Sequence, residues 1–214
     1  MSDNTVPADM HVDSRRHTNP DGSVGGWVEP TATVTPTATI GFDARVSGEA
    51  LVSGNARVSG NALVSDNARV YDSVVVSGSA RVYDSAVVFG NALVFDNARV
   101  SGEAKVFENA LVYDSAKVFD NAQVFDNAQV YDSALVYDSA VVFGKALVSG
   151  NALVFGNAWV SGEAKVFENA LVHDSAVVSG NALVFGKARV FDNALVSGSA
   201  LVSGKTRVSG RDYV

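Results

Sequence analysis

The chain contains no cysteine, and its four prolines, Pro7, Pro20, Pro30 and Pro36, all fall within the first 36 residues. The first absence excludes disulfides and thiolate metal ligands, while leaving the redox compartment undetermined. The second leaves the rest of the chain free of the one residue that cannot donate to a β-ladder. No apolar run approaches the roughly 18 residues of a membrane-spanning helix, and the opening stretch MSDNTVPADMHVDSRRHTNPDG lacks the hydrophobic block of a signal peptide. Neither a membrane partner nor ordinary secretion is therefore expected, which leaves the virion or the cytoplasm. Charge is sparse: 18% of residues are charged, with a net charge of −7. That balance argues against a phosphate-binding surface, so no nucleic-acid partner is expected. Apolar residues make up 47% of the 214, enough for the chain to fold unaided as neither a disordered tail nor a membrane protein.

Insertions are missing too. From Ala32 to Arg211 the sequence divides into 30 consecutive hexads without a gap. The first place is Ala except at Val74 and Thr206, and the third is Val except at Ile40. The fifth is mostly Gly, Asp or Glu, and the sixth mostly Asn or Ser. Gly26-Trp27-Val28-Glu29-Pro30-Thr31 fits the frame one hexad earlier, with Gly where Ala belongs. Places one and three point one way in an extended strand and places two and four the other. The small-large pair is thus the interior, and places five and six can adopt the positive φ of a sharp corner. So short a strand cannot bury its face or pair its backbone alone, and coiling the chain with rungs about 4.8 Å apart does both. Three hexads per turn predict ten coils and a rod of roughly 50 Å. A helix is excluded, because a six-residue spacing walks around a 3.6-residue turn and Val with Gly forms helix poorly.

The stretch AVVSGNALVFGKARV resembles the hexapeptide repeat of left-handed parallel β-helices, over about 180 residues. Handedness is implied by that resemblance only, since the general crossover rule favours the right hand. More narrowly, GSVGGWVEPTATV followed by GNARV and YDSA units is similar to a phage and bacterial group carrying Gly-Gly-Trp-Val before the repeats. The fold class expected is all-β, a triangular single-stranded solenoid over residues 26–214, preceded by a capping or attachment segment over 1–25.

The resemblance implies two enzyme chemistries. Hexapeptide acyltransferases are trimers that hold an acyl thioester between coils, use a His base and cover the site with an extruded loop. This sequence extrudes no loop, places Ser, Phe or Tyr after the aliphatic, and has one His in its repeats, His173, in an outward column between Phe155 and Phe191. Acyl transfer with acyl-CoA therefore ranks below a structural role. Related carbonic anhydrases bind zinc through three His, whereas His11 and His17 lie outside the repeats and far from His173. No metal or other cofactor is expected. SALVSGKT is two ordinary hexads with Ser199 where a phosphate loop needs Gly. Ice binding is a third idea, but Thr33, Thr35, Thr37 and Thr39 cluster in the first two hexads alone.

Stacking at 18-residue intervals turns the outward places into columns. One fourth-place column reads Tyr71, Phe89, Phe107, Phe125, Phe143; a second Phe95, Tyr113, Tyr131, Phe167, Phe185, broken at Ser149; a third Tyr83, Phe119, Tyr137, Phe155, Phe191, broken at Ser101 and His173. Rings on successive rungs stack for about 0.5–1.5 kcal/mol per pair, so the ladders are structural before they are a ligand-stacking surface. A second-place column reads Val75, Leu93, Leu111, Leu147, Leu183, Leu201, interrupted by Gln129 and Lys165, and another carries Arg45, Arg81, Arg99, Lys117, Arg189 and Arg207. The aliphatic side is the expected contact face, most simply of a homotrimer with parallel axes. Asp96, Asp114 and Asp132 share a corner column, and their mutual repulsion calls for water, neighbouring cations or a bound ion. Trp27 is expected as a plug over the first coil, with the segment before it docking the rod to other virion or surface proteins. Arg211 and Asp212 are expected to discourage end-to-end growth by charge.

Overall fold

A computed structural model describes residues 5–210 and 212–214. It opens on a hairpin, β1 (Arg15–Thr18) antiparallel to β2 (Val24–Val28), which straddles the boundary expected at residue 26. β3 (Thr33–Val34), β4 (Thr39–Ile40) and β5 (Arg45–Val46) follow, and two-residue strands then recur every six residues to β32 (Arg207–Val208). Each strand pairs in parallel with the strand 18 residues on, Leu93 beside Leu111 and Val94 beside Val112 for example. Three sheets result. The first has 12 strands and runs from β1 and β2 through β5 to β32; the second and third have 10 each and begin at β3 and β4. The molecule is a three-sided parallel β-solenoid with coils of 18 residues, and no described helix is long and apolar enough to cross a membrane.

The interior follows directly from places one and three. Every first-place residue from Ala38 to Ala194 and every third-place residue from Ile40 to Val196 is fully buried, in one continuous cluster. A small and a branched residue at alternate inward positions fill a narrow triangular lumen, because three walls leave no space for a larger pair.

The corners show why the fifth place carries Gly or an acid. The fifth place has positive φ in every hexad from Gly48 to Gly210, Asp72 at 64° and Asp126 at 59° among them. Among the described residues no sixth place has positive φ, so the left-handed residue falls on one corner position rather than two. Second-, fourth- and sixth-place amides donate to the next coil's backbone, as Leu93 N to Ala110 O at 3.0 Å, Phe95 N to Val112 O at 3.0 Å and Asn97 N to Asp114 O at 2.7 Å. Where the coil before carries an acid at that corner, its side chain can serve the fifth-place amide. Asp72, Asp84, Asp126, Asp132 and Asp138 each place Oδ2 2.9–3.1 Å from the fifth-place amide one coil on. The stacked acids are thus acceptors for corner amides, which the column arithmetic of the sequence did not reveal; a carboxylate so placed also offsets part of the cost of an L-residue at positive φ.

At one corner two acids come too close. Asp126 N donates to Glu108 Oε2 at 3.1 Å. A side-chain hydrogen bond with the Asp126 carboxyl raises the Glu108 pKa above the ordinary glutamate value, and desolvation and the Asp126 charge act the same way. A folded-state pKa above the unfolded one means that the protonated group favours folding, and that this contribution is lost as pH rises through the folded value. Glu108→Gln should therefore melt higher than the parent at neutral pH, and the gap should close once the pH falls below the carboxylate range. Thermal melts of the two proteins at both pH values check this.

Candidate functional site

With lumen and corners committed to structure, any surface function falls to the outward second and fourth places and to the N-terminal end. In the fourth place the rings stack in the order of the columns. Tyr71, Phe89, Phe107, Phe125 and Phe143 have successive centroids 4.7–5.3 Å apart and planes within 12° of parallel. Phe95, Tyr113 and Tyr131 form a second run at 4.9 and 5.0 Å, and Phe167 stacks on Phe185 at 4.9 Å beyond Ser149. In the third, His173 lies between Phe155 at 4.8 Å and Phe191 at 5.3 Å, its Nδ1 3.0 Å from Asp174 Oδ2. His173 therefore occupies a ring position. Burial raises the phenol pKa of Tyr113 and of Tyr137, so both are neutral at physiological pH.

Ser101 and Ser149, where two ladders break, are each 8% exposed, whereas the other fourth-place serines are half-buried. Both have ring-bearing coils on either side, Tyr83 and Phe119 for Ser101, Tyr131 and Phe167 for Ser149. The flanking rings cover them.

In the second place, register brings Val75, Leu93, Leu111, Leu147, Leu183 and Leu201 onto the third sheet, with Gln129 and Lys165 between them. The six aliphatic residues are half-buried except Leu201, at 60% exposed. The column expected to be basic is mixed. On the first sheet Leu63 stands between Arg45 and Arg81, and Leu135, Leu153 and Leu171 lie in succession between Lys117 and Arg189. The second sheet adds a patch that the column reading missed: Val141, Trp159, Val177 and Leu195 are neighbours in register. Trp159 is 50% exposed and meets Phe143 edge-on, at 6.1 Å and 83°. The same 18-residue arithmetic would have found it.

Trp27 takes a different place from the expected plug. It occupies an outward second place, paired with Arg45, while Val28 beside it joins the core cluster. Trp27 is buried at 6% exposure because the N-terminal segment folds over the outside of the first sheet. The Arg16 guanidinium lies 4.4 Å from the Trp27 ring centroid and 3.8 Å from that of Phe42, and donates to the carbonyls of Gly25 at 3.2 Å and Phe42 at 2.6 Å. Arg45 pairs with Asp9, and Glu29 accepts the amides of His11 at 3.0 Å and Gly48 at 2.8 Å. The departure from Ala at Gly26 has a cause: a Cβ there would run into the Ala44 carbonyl oxygen and come within 2.5 Å of the Gly41 oxygen. Gly26→Ala should therefore loosen the hairpin at a cost of about 1–2 kcal/mol, read as a red-shifted Trp27 emission with the main melting transition in place.

His11 and His17 sit in this N-terminal region and His173 on a distant coil. His17 Nε2 faces the Ala38 carbonyl at 3.1 Å, so it carries the proton there. Of the threonines, Thr37 turns its hydroxyl into the next corner, donating to the Gly54 carbonyl at 2.5 Å. Arg211, expected with Asp212 to discourage end-to-end growth, lies outside the described residues; Asp212 accepts the Ser209 amide at 3.2 Å.

Comparison with known proteins agrees with this architecture. The family model described as the YdcK beta solenoid repeat matches residues 44–60, 50–65, 62–78, 128–144, 146–162 and 188–204. No curated protein matches the sequence. Among solved structures, the chain is similar to an Arabidopsis UDP-N-acetylglucosamine acyltransferase, with a TM-score of 0.53 and 13% identity, over 86% of this chain and 73% of that one. At that identity the likeness is one of fold: the chain is a hexapeptide-repeat β-helix.

Proposed function

We propose that the chain is a non-enzymatic structural rod, part of a phage virion or of a bacterial surface or scaffold assembly, whose lateral face joins it to copies of itself as a trimer with parallel axes. The observation that carries this reading is the aliphatic column of the third sheet, held in one register from Val75 to Leu201. An outward row of Leu and Val broken only at Gln129 and Lys165 exceeds what a lone rod usually leaves to water, and a three-fold axis parallel to the rod lets three identical columns meet. The phage or bacterial setting rests on the Gly25-Gly26-Trp27-Val28 segment before the repeats. Sedimentation equilibrium should give three times the chain mass, and Leu111→Lys with Leu147→Lys should give the monomer with its fold intact. A parent protein that is monomeric at every concentration would remove the role given to the column.

Acyl transfer is the second reading, supported by the solenoid likeness to the Arabidopsis acyltransferase. Saturable micromolar binding of acyl-CoA would favour it over the structural role.

A further inference from the structure

The N-terminal end of the solenoid is covered unevenly. Each coil offers its predecessor the same edge groups, among them the first-place carbonyl and the third-place amide. On the first sheet that edge is paired by β1, with Arg15 opposite Val28. On the third sheet two side chains of the hairpin stand in for a strand: His17 Nε2 lies 3.1 Å from the Ala38 carbonyl, and Asn19 Oδ1 accepts the Ile40 amide at 2.9 Å. Asn19 is itself buried, at 8% exposure. On the second sheet the equivalent groups are the Ala32 carbonyl and the Val34 amide of β3, and among the described residues no strand or side chain takes that place.

A cleft of about 640 Å³ opens at this edge. Its floor is the end of the lumen, Val28, Ala32 and Val34, and its far wall is the hairpin, with Arg15 and Arg16. The floor is shaped for the small-branched alternation that fills every later coil. Arg15 sets positive charge beside it in a chain of net charge −7, whereas the Arg16 guanidinium is held on the outer wall by Trp27 and Phe42.

We propose that this cleft docks one extended segment of a partner protein, which adds a strand to β3 on the N-terminal edge of the second sheet and lays a small and a branched residue on Ala32 and Val34. The backbone of the segment supplies a donor for the Ala32 carbonyl and an acceptor for the Val34 amide, the mode of strand addition at an open sheet edge. An acidic residue next to the apolar pair meets Arg15. A second copy of the rod does not fit, because β1 and the His17–Asn19 side chains already occupy the other two edges. The hairpin thus blocks head-to-tail growth of rods while leaving room for one strand.

The probe is a capped synthetic peptide, EALVSGN, copying residues 49–55 and carrying both the Ala-x-Val alternation and an acid. Titrated into the full chain, it should bind saturably at submillimolar concentration and slow hydrogen exchange at the Val34 amide. Val34→Pro removes that amide at an edge position where proline is tolerated, and should weaken binding about tenfold or more with little change in melting temperature. Should that variant lose its fold, Arg15→Glu, an exposed change, should still weaken binding several-fold. No saturable binding, binding indifferent to both variants, or equal binding of a peptide with Asp in place of its Val would each overturn the proposal. End-to-end association of the rods would overturn it too. Lateral trimerisation is read separately by mass, so failure here and failure of the structural role are distinguishable.

Discussion

Val124→Asp should abolish stable folding of the central coils, while Gln123→Asp, one residue away, should leave the melting temperature within a degree or two. The two positions share one strand and point to opposite sides of it. Val124 is fully buried among alanines and valines of its own coil and of the coils above and below, whereas Gln123 is a half-buried member of an outer column. A carboxylate in that lumen is surrounded by the apolar side chains of the core and meets no cation. The cost is several kcal/mol even if the group protonates, comparable with the whole stability of an ordinary domain. At position 123 the new acid stands beside Lys105, its neighbour in register, and surface changes of this kind usually stay within about 0.5 kcal/mol. Circular dichroism melts and limited proteolysis of the two variants, made and handled in parallel, check the contrast.

Phe107→Ala should cost about 2–3 kcal/mol, and Ser101→Phe should return about 1–3 kcal/mol. Phe107 is a middle ring, stacked on Phe89 at 4.8 Å and on Phe125 at 4.7 Å. Its loss removes two stacking contacts and uncovers the corner backbone beneath them. Ser101 is the reverse case, a missing ring between the coils that carry Tyr83 and Phe119. Supplying one creates two contacts where the structure has none, at a spacing the coil repeat has already set. Chemical denaturation of both variants, with m-values compared to the parent, separates this account from one in which the aromatics are idle surface. If the ladders existed chiefly to bind a ligand, Phe107→Ala would leave stability unchanged.

The coil could be read from the sequence because one constraint repeats. Ala and Val at places one and three fix which way the strand faces, and the absence of any insertion from Ala32 onward fixes the length of a turn. From those two facts the aromatic columns, the leucine column and the ring position of His173 follow by addition. What stayed hidden depends on side-chain reach, which a repeat does not encode. The fifth-place acids read as a repulsive stack, yet their carboxylates reach one coil on to the corner amide that the backbone leaves over. Trp27 reads as a plug, yet its outward place and the Arg16 guanidinium hold it on the outer wall. The N-terminal hairpin carries no periodicity at all, so neither the His17 and Asn19 contacts with the third sheet nor the open edge of β3 had any signal in the hexad frame. Trp159 follows from the same addition, but its column mixes Arg69, Lys105 and Gln123 with Val141 and Val177, so no pattern marks it.

The central claim is that the chain closes a turn every three hexads, with the same pair of places facing inward throughout. Since the native sequence has no cysteine, an introduced pair supplies the only thiols. Leu93→Cys with Leu111→Cys joins neighbours on one face, paired in register at a strand spacing of about 4.8 Å that a disulfide can bridge. Leu93→Cys with Lys105→Cys joins residues on different sheets. Under mild oxidation the first pair should form an intramolecular disulfide and the second should remain reduced. A bond in the second pair and none in the first would mean that the turn closes elsewhere, and every column described above would dissolve with it.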